Sequence, residues 1–593
     1  MESPASASQT LRFGVFDLNL RSGELRKQGR RIRLEGQPVQ VLVKLLEQPG
    51  ELVTREDLRR ELWPADTFVN FEQSLNAAVK RLRQALGDSP SNPRFIETLA
   101  RRGYRFIAPV SGSTQDLVSL PRVRAVESLA VLPFINTESD PETEYLADGI
   151  TESIINHVSR LASVRVMARS TVFRYKDKTL DPRAVGRKLN VDAVLLGRVQ
   201  QRGDALLVGT ELVDVPNGWR LWGEQYNRKL ADIFALEEEM SREISEKLRL
   251  KLSGADRTLL AKRYTESTEA YQEYLKGRYH INRLNEEGLK TGIEYFERAI
   301  DRDPNYALAY TGLADAYGLL GFIGLARAAE VMPKSKEAAR RAIEIDDGLA
   351  EAHASLAGIF KNYDWDWAGA EREYTKALEL DPRYANGYRM LASYLAAVGR
   401  PEESLRASRA ALELDPFSLP TRAEFAYNLY MSRRYEEAMD EALRTLDLEP
   451  QFAPAQSVLG SVYQQLGRYD EATATMSRAR DLSGAHPATL AALVQIHASA
   501  GQLQTALDQL KSLEELSARQ HVSSFWLAMA YTGTGQLQAA LDQIQRAYEE
   551  RDVILVWLGT EPRFDALRAE PRFVEILRGI GLSPRADTAQ SGR

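Results

Sequence analysis

Residues 71–106 read FEQSLNAAVKRLRQALGDSPSNPRFIETLARRGYRF, and this stretch decides the fold of the amino-terminal part of the chain. Its apolar residues recur at steps of four, three and four, at Leu75, Val79, Leu82 and Leu86. That spacing predicts an amphipathic helix with one stripe facing a core. Beyond the glycine and prolines that follow, two short apolar runs closed by ARRG predict a β-hairpin. A basic helix is thus followed directly by a basic hairpin.

The polar face of this helix carries the candidate site. At about 100° per residue, Gln73, Ala77 and Lys80 point away from the apolar stripe, and Asn76, Arg81 and Arg83 flank it. Arg101 and Arg102 fall at the tip of the predicted hairpin. An amide, small and cationic surface of this kind suits duplex DNA. The alternative is an ordinary solvated helix face.

The charge distribution favours DNA over the alternative. Residues 1–110 hold 18 Lys and Arg against 13 Asp and Glu, a net charge of +5. The whole chain carries −6, so the remaining residues carry −11. A positive head on an acidic body is an electrostatic footprint for phosphate.

The segment from Leu11 to Pro109 resembles the winged-helix DNA-binding domain of OmpR/PhoB-type regulators, especially the CadC/ToxR-like branch. The matching parts are the strand RFGVFDL from Arg12, the helix QPVQVLVKLLEQ from Gln37, the capped TREDL from Thr54 and the wing RGYRF from Arg102. The resemblance implies that Gln73, Asn76, Ala77 and Lys80 meet base edges in the major groove. It places Arg81 and Arg83 near phosphates, and Arg101 and Arg102 in the wing. Ala100 departs from the family, which often has Arg there.

The same resemblance sets expectations for what accompanies the DNA-binding domain. Nothing ahead of Leu11 resembles a phosphoacceptor receiver domain, so aspartyl phosphorylation is not expected to be the switch. No window reaches 18 uninterrupted apolar residues, and the chain has no cysteine. We therefore expect a cytoplasmic protein without a membrane segment, disulfides or thiolate zinc sites.

A different pattern begins after a polar linker at residues 111–126. Between residues 127 and 252, short β-branched runs alternate with helical ones, which predicts an α/β domain with a hairpin around RGD at 202–204. The segments YLADGITE from Tyr145, LNVDAVLLG from Leu189 and LWGEQY from Leu221 resemble a TolB-N-terminal-like domain. We expect a structural or interaction module without chemistry of its own.

The remainder of the chain, residues 265–582, is a repeat array. Pro382, Pro416 and Pro450 lie 34 residues apart, which is the period of the tetratricopeptide repeat. About eight copies are expected, with an insertion at residues 323–332 of the second and a disordered tail at 583–593. Such an array curves into a groove that usually binds protein or peptide. The pattern places these first-helix residues in the groove, or alternatively on an ordinary surface: Asn362, Asn386, Arg389, Tyr427, Tyr430 and Gln464.

Catalysis has no support in the sequence. The six histidines are dispersed, and the common metal, nucleotide and nucleophile motifs are missing. Trp365 and Trp367 in the WDW segment are expected to pack at an irregular turn. Hence we expect no enzyme, cofactor or metal, but a multidomain transcriptional regulator that binds promoter DNA, on tandem half-sites as a homodimer, and receives a protein or ligand signal through its repeats. The rival hypothesis is a repeat scaffold whose winged helix contacts protein. A cyclase regulatory remnant is a third.

Overall fold

The computed structural model describes residues 10–19, 24–32, 34, 37–62, 71–100, 102–111, 126–138, 143–161, 164–176, 181–218, 220–248 and 263–583, without the side chains of 60–62 and 71–73. The chain divides into two compact units, Met1–Ala125 and Val126–Arg593. The predicted tail from 584 onward and most of the predicted linker, 112–125, lie outside the described residues. The predicted fold class is confirmed: an α+β domain, an α/β domain and a long run of helices.

The described residues of the first unit form two small antiparallel sheets and three helices. One sheet has the order β4, β3, β2, β1, β8, and the other has the order β5, β7, β6. The strands are β1 (Thr10–Phe13), β2 (Phe16–Asn19), β3 (Leu25–Lys27), β4 (Arg30–Ile32), β5 (Leu52–Thr54), β6 (Ile96–Leu99), β7 (Gly103–Phe106) and β8 (Val110–Ser111). The helices are α1 (Gln37–Glu47), α2 (Arg55–Leu62) and α3 (Phe71–Leu86).

Helix α2 begins with the reciprocal cap that its sequence predicts. The Asp57 amide donates to Thr54 Oγ1 at 3.0 Å, and the Thr54 amide donates to Asp57 Oδ2 at 3.2 Å. Both groups satisfy amides that the first turn leaves unpaired. The cap also fixes where β5 ends, since Thr54 is the last residue of that strand.

The core of the first unit holds the predicted apolar stripe of α3. Leu75, Val79, Leu82 and Leu86 are all at most 3% exposed. Against them pack the leucines of α1 and a cluster of phenylalanines from both sheets, in which the Phe13 and Phe106 rings meet edge to face at 5.2 Å. One face of α3 is therefore fixed in the core while the opposite face remains outside.

The α/β domain opens the second unit. Its sheet has the order β11, β9, β12, β13, β14, with β10 paired to β12; β9 is parallel to β11 and β12, and the last three strands form an antiparallel meander. The strands are β9 (Ser128–Val131), β10 (Ile135–Asn136), β11 (Arg165–Val166), β12 (Ala193–Arg202), β13 (Ala205–Asp214) and β14 (Arg220–Lys229). The helices are α4 (Glu144–Ser159), α5 (Arg169–Val172), α6 (Pro182–Lys188) and α7 (Ile233–Lys247). The hairpin at 202–204 is present, with Gly203 at φ +57°.

Eight helix pairs follow within the described residues 263–583. They are α8 (Thr268–Ile281) with α9 (Glu286–Arg302), α10 (Ala307–Phe322) with α11 (Ala328–Ile345), α12 (Ala350–Ile359) with α13 (Trp367–Leu380), α14 (Ala385–Ala397) with α15 (Pro401–Leu414), α16 (Leu419–Met431) with α17 (Tyr435–Leu448), α18 (Ala453–Gln465) with α19 (Tyr469–Leu482), α20 (Pro487–Ser499) with α21 (Leu503–Ser517), and α22 (Ser524–Gly533) with α23 (Leu537–Glu549). The last helix of the described residues is α24 (Pro571–Gly579).

The predicted insertion in the second repeat takes a different form from a loop. Residues 323–327 alone connect the two helices, because α11 begins at Ala328 and runs for 18 residues. Pro333, inside the predicted loop, lies within α11. The extra residues therefore lengthen a helix pair, since apolar residues such as Val331 and Met332 are buried when the segment is helical.

The α/β domain is packed on the early repeats within the second unit. Arg383 donates to the carbonyl oxygens of Leu161 and Val164 at 2.7 and 2.8 Å. Thr171 donates to Asp415 at 2.9 Å, and Arg278 donates to Glu152 at 2.6 Å. These buried polar contacts join α4, α5 and their neighbours to the first helices and turns of repeats one to four.

The carboxyl group of Glu237, on α7 at this junction, should make the stability of the second unit depend on pH. The carboxylate is 3% exposed and accepts hydrogen bonds from Ser153 at 2.7 Å and Tyr271 at 2.9 Å. Burial raises its pKa from 4.5 to about 7, although both hydrogen bonds act in the opposite direction. Because the folded pKa is the higher one, the stabilising contribution is complete below pH 4.5 and is lost as pH rises through 7.

We therefore expect the free energy of unfolding of Glu237→Gln, relative to that of wild type, to rise by about 3 kcal/mol between pH 4.5 and pH 8. The measurement is urea unfolding of the full chain at both pH values. Glu246→Gln, at an exposed position of the same helix, is the matched control and should show no such gain. Parallel pH profiles for wild type and Glu237→Gln would contradict the assignment.

Candidate nucleic-acid interface

Helix α3 presents four of the predicted contact residues to solvent. Asn76, Ala77, Lys80 and Arg81 are all exposed, on the face opposite the buried stripe. Gln73 lies in the first turn of the helix, but its side chain is outside the described residues. Among the described residues, Lys80 and Arg81 have no carboxylate partner. Their charge is therefore available to an external anion.

Arg83 has a different environment from Lys80 and Arg81. Its side chain is half-buried, and its Nη2 donates to the Ile96 carbonyl oxygen and to Thr98 Oγ1, both at 2.8 Å. These contacts tie the last turn of α3 to strand β6. The predicted position of Arg83 near phosphate does not fit this placement, because the guanidinium is already committed to the hairpin.

The connection between α3 and the hairpin is held by Asp88. Its carboxylate accepts from the amides of Arg94 at 2.6 Å and Ile96 at 2.9 Å. Asp88 therefore closes the loop after Gly87 and sets where β6 begins. Sequence reasoning did not select this residue, although an Asp between Gly and Pro is a strong turn signal.

The predicted hairpin is present and is formed by β6 and β7. Strand β7 pairs antiparallel with both β6 and β5. Gly103 allows this, because a Cβ there would lie 2.1 Å from the Val53 carbonyl oxygen. At the tip, Arg102 is exposed and its carbonyl oxygen accepts from the Arg55 amide at 3.0 Å. Arg101 lies outside the described residues.

A polar triangle links the hairpin to α3. The Tyr104 hydroxyl donates to Asn76 Oδ1 at 3.1 Å, and Arg55 Nη2 donates to the same oxygen at 3.3 Å. Arg55 also donates to the Tyr104 hydroxyl at 3.2 Å. Arg55 and Tyr104 thus support the exposed amide of Asn76 from beneath. No local sequence pattern indicates this role, since the three residues are far apart in the chain.

Family comparisons agree with this architecture domain by domain. Residues 29–106 match the family described as "Transcriptional regulatory protein, C terminal". Residues 125–242 match the second domain of HilA/YgeH-like transcriptional regulators, where sequence analysis expected a TolB-N-terminal-like domain. Residues 453–486 match the tetratricopeptide repeat. The chain carries the domains of a DNA-binding transcriptional regulator.

Curated relatives extend over several of these domains. The transcriptional regulator HilA of Salmonella typhimurium is 26% identical over 400 residues, which cover 66% of this chain and 68% of HilA. A Rhizobium meliloti protein named "Putative adenylate cyclase 3" is 35% identical over 239 residues, or 40% of each chain. The cholera toxin transcriptional activator of Vibrio cholerae is 33% identical over 86 residues, covering 14% of this chain and 29% of that protein.

Two findings of the structure concern membranes and metals. No helix in the described part of the chain is both long and apolar enough to cross a bilayer. Within the same residues, no group of three or more His, Asp or Glu side chains is placed to hold a metal ion.

The predicted groove residues of the repeats meet the chain's own carboxyl-terminal segment, residues 551–582. Tyr430 is completely buried, and its hydroxyl donates to Glu561 at 2.8 Å. The half-buried Tyr427 ring meets Trp557 edge to face at 5.2 Å. The prediction that these two tyrosines face an open groove therefore does not fit, because residues 555–567 cover them.

The other four predicted groove residues lie in three different helix pairs. Gln464 is 6% exposed and donates to Ser499 at 3.1 Å. Arg389 forms an ion pair with Glu424 and donates to Asn386 Oδ1 at 2.9 Å. Asn386 itself is exposed. Asn362 is half-buried in an irregular wide turn, Phe360–Asp364.

The WDW segment ends that turn and joins the same carboxyl-terminal part of the chain. Trp365, at φ 58°, stacks on Tyr548 at 5.4 Å. Trp367 Nε1 donates to the Ile580 carbonyl oxygen at 2.7 Å. The predicted packing role at an irregular turn is what the structure shows, but the partner lies about two hundred residues further along the chain.

Arg83 should contribute more to the stability of the first unit than its exposed neighbour Arg81. Arg83→Ala should lower the free energy of unfolding of the first unit by about 2 kcal/mol, because two charge-assisted hydrogen bonds to the hairpin are lost. Arg81→Ala removes an exposed cation and should change the free energy of unfolding of the first unit by less than about 0.5 kcal/mol. The measurement is hydrogen exchange of the β6 and β7 amides in the full chain. Equal protection in both variants would contradict a structural role for Arg83.

A second prediction concerns the covering segment. Trp557 is 6% exposed, so Trp557→Ala should destabilise the packing of residues 551–582 by about 3 kcal/mol. Limited proteolysis with mass spectrometry should then find faster cleavage within that segment. Leu503→Ala is the control, since Leu503 is 51% exposed on α21. Unchanged cleavage in Trp557→Ala would show that the segment is held elsewhere.

Proposed function

We propose that this protein is a sequence-specific transcriptional regulator that inserts α3 into the major groove of promoter DNA. The observation that carries the proposal is the exposed outer face of α3, where Lys80 and Arg81 lie beside the amide of Asn76 and have no carboxylate partner among the residues that the structure describes. Cations attract phosphate, and amide groups distinguish base edges. Ala77 between them leaves room for close approach to a base.

The contact residues divide by expected role. We assign Gln73, Asn76, Ala77 and Lys80 to base edges and Arg81 to phosphate, with Arg101 and Arg102 of the hairpin tip toward the adjacent minor groove. Arg83 is left out of the contact set, since it braces the hairpin from within the domain. Its neighbours depend on that brace for their position.

Regulation is proposed to involve two copies of the chain. Two winged helices on tandem half-sites would bind more tightly than one, because the second contact is intramolecular once the first has formed. The proposed location is the cytoplasm, where promoter DNA is accessible, and the protein is proposed to be no enzyme. These points rest on the DNA-binding assignment.

Signal input is assigned to the repeats, through a protein or peptide partner. Residues 551–582 already cover Tyr427 and Tyr430, so a partner that uses this inner face has to compete with them. Asn386 and Arg389, one repeat earlier, offer a polar surface outside that cover. A partner on the repeats would thereby change how two DNA-bound copies are held together.

The rival function is a repeat scaffold whose winged helix binds protein. The exposed cations of α3 would suit an acidic protein as well as DNA. The amide of Asn76 beside them favours DNA, because amide groups distinguish base edges. Retention of the full chain on duplex oligonucleotides in dilute buffer separates the two. A scaffold would not be retained.

The salt dependence of DNA binding tests the α3 assignment. Each neutralised phosphate contributes about −0.9 to the slope of log affinity against log salt concentration. Because Arg81 is the assigned phosphate contact, Lys80→Ala/Arg81→Ala should make that slope shallower by about 1 and weaken binding at low salt. Arg187→Ala/Lys188→Ala removes an equally exposed pair from α6 and serves as the control. If both double variants keep the wild-type slope and affinity, α3 does not contact DNA.

A further inference from the structure

The triangle of Asn76, Tyr104 and Arg55 fixes which end of the Asn76 amide faces solvent. Two hydrogen-bond donors, the Tyr104 hydroxyl and Arg55 Nη2, lie 3.1 and 3.3 Å from its Oδ1. A primary amide has one acceptor oxygen and one NH₂ donor. With the oxygen taken from below, Nδ2 is the group presented outward.

The opposite orientation of the amide is electrostatically disfavoured. If the amide turned over, its NH₂ group would face the guanidinium of Arg55, which has only donors. The Tyr104 hydroxyl, which accepts from Arg55 at 3.2 Å, could also accept from the turned amide, but the contact between the NH₂ group and the guanidinium would remain. Tyr104 is 3% exposed, so burial holds its hydroxyl in place.

This orientation changes the bases that Asn76 can read. The usual pairing of asparagine with adenine uses both amide ends, since Oδ1 accepts from N6 while Nδ2 donates to N7. That pairing is blocked when Oδ1 is engaged from beneath. A donor alone suits guanine best, because guanine has two acceptors, O6 and N7, whereas adenine and thymine each offer one, N7 and O4.

We propose that Asn76 reads the major groove only as a hydrogen-bond donor, so that it prefers guanine and has lost the usual preference of asparagine for adenine. The inference rests on the proposed function and specifies the base chemistry of that same surface. Tyr104 and Arg55 act as positioning residues, because they determine preference through Asn76 without meeting the base themselves.

The test is selection of random duplexes by the full chain, followed by sequencing. In wild type, the position that responds to Asn76→Ala should hold guanine, and the substitution should reduce its discrimination roughly tenfold. Asn76→Asp presents an acceptor instead, so preference at that position should move toward cytosine, whose N4 is a donor. Gln84→Glu makes the same amide-to-carboxylate change at an exposed position of α3 outside the triangle, and should leave base preference unchanged.

A further variant tests the positioning residues directly. Tyr104→Phe/Arg55→Met removes both donors beneath Oδ1, which frees the amide to turn over. Adenine should then be accepted at the Asn76 position, whereas a merely structural role would lower overall affinity without changing that base. Retained helix content by circular dichroism shows that the variant still folds.

The possible results distinguish this inference from the proposed function. Adenine at the Asn76 position in wild type, or no position that responds to Asn76 variants, overturns the inference while DNA binding stands. A wild-type chain that enriches no duplex and shows no salt-dependent retention overturns both. An unchanged base preference in Tyr104→Phe/Arg55→Met overturns the positioning roles.

Discussion

The first unit depends on the burial of one stripe of α3, from Leu75 to Leu86. Four apolar side chains at helical spacing lose their water contact together, which stabilises the helix by roughly 2 kcal/mol for each large side chain. The same geometry forces the polar residues between them outward. Burial and exposure of this helix are therefore one constraint, because the stripe cannot turn toward the core without presenting Asn76, Lys80 and Arg81 to solvent.

The second unit shows a related constraint on a larger scale. Each helix pair buries small residues where its helices cross, and Phe296 packs between Gly277 and Gly312, where a Cβ would lie 2.6 Å from its ring in either case. Stacking such pairs leaves a long inner face with apolar and charged side chains. The α/β domain covers one part of this face and residues 551–582 cover another. The repeat array is therefore a self-covered structure in the described part of the chain.

Much of the fold could be predicted because it depends on local periodicity. The stripe of α3, the cap at Thr54 and Asp57, and the 34-residue period all lie within short windows of sequence. The cover over Tyr430 could not be predicted in the same way, since Glu561 is 131 residues away and no local pattern links the two. For the candidate site, helical spacing placed Asn76, Lys80 and Arg81 outside. It could not show that Arg83 reaches back to Ile96, because both directions are compatible with a flanking position.

The contrast between Arg83 and Lys80 also explains why net charge alone is a poor guide to the site. In the second unit, arginines are repeatedly engaged by carboxylates, as in Arg400 with Glu371 and Arg433 with Asp565. An engaged cation has little field left for an external phosphate, since its partner cancels it at a few ångströms. The outer face of α3 is the candidate because Lys80 and Arg81, which have no carboxylate partner among the described residues, lie on the same exposed face as the Asn76 amide. The proposed affinity for an anionic duplex therefore rests on the exposed cations of α3. The −11 charge of the remaining chain does not oppose it at short range, because salt screens charges beyond about 8 Å at physiological ionic strength.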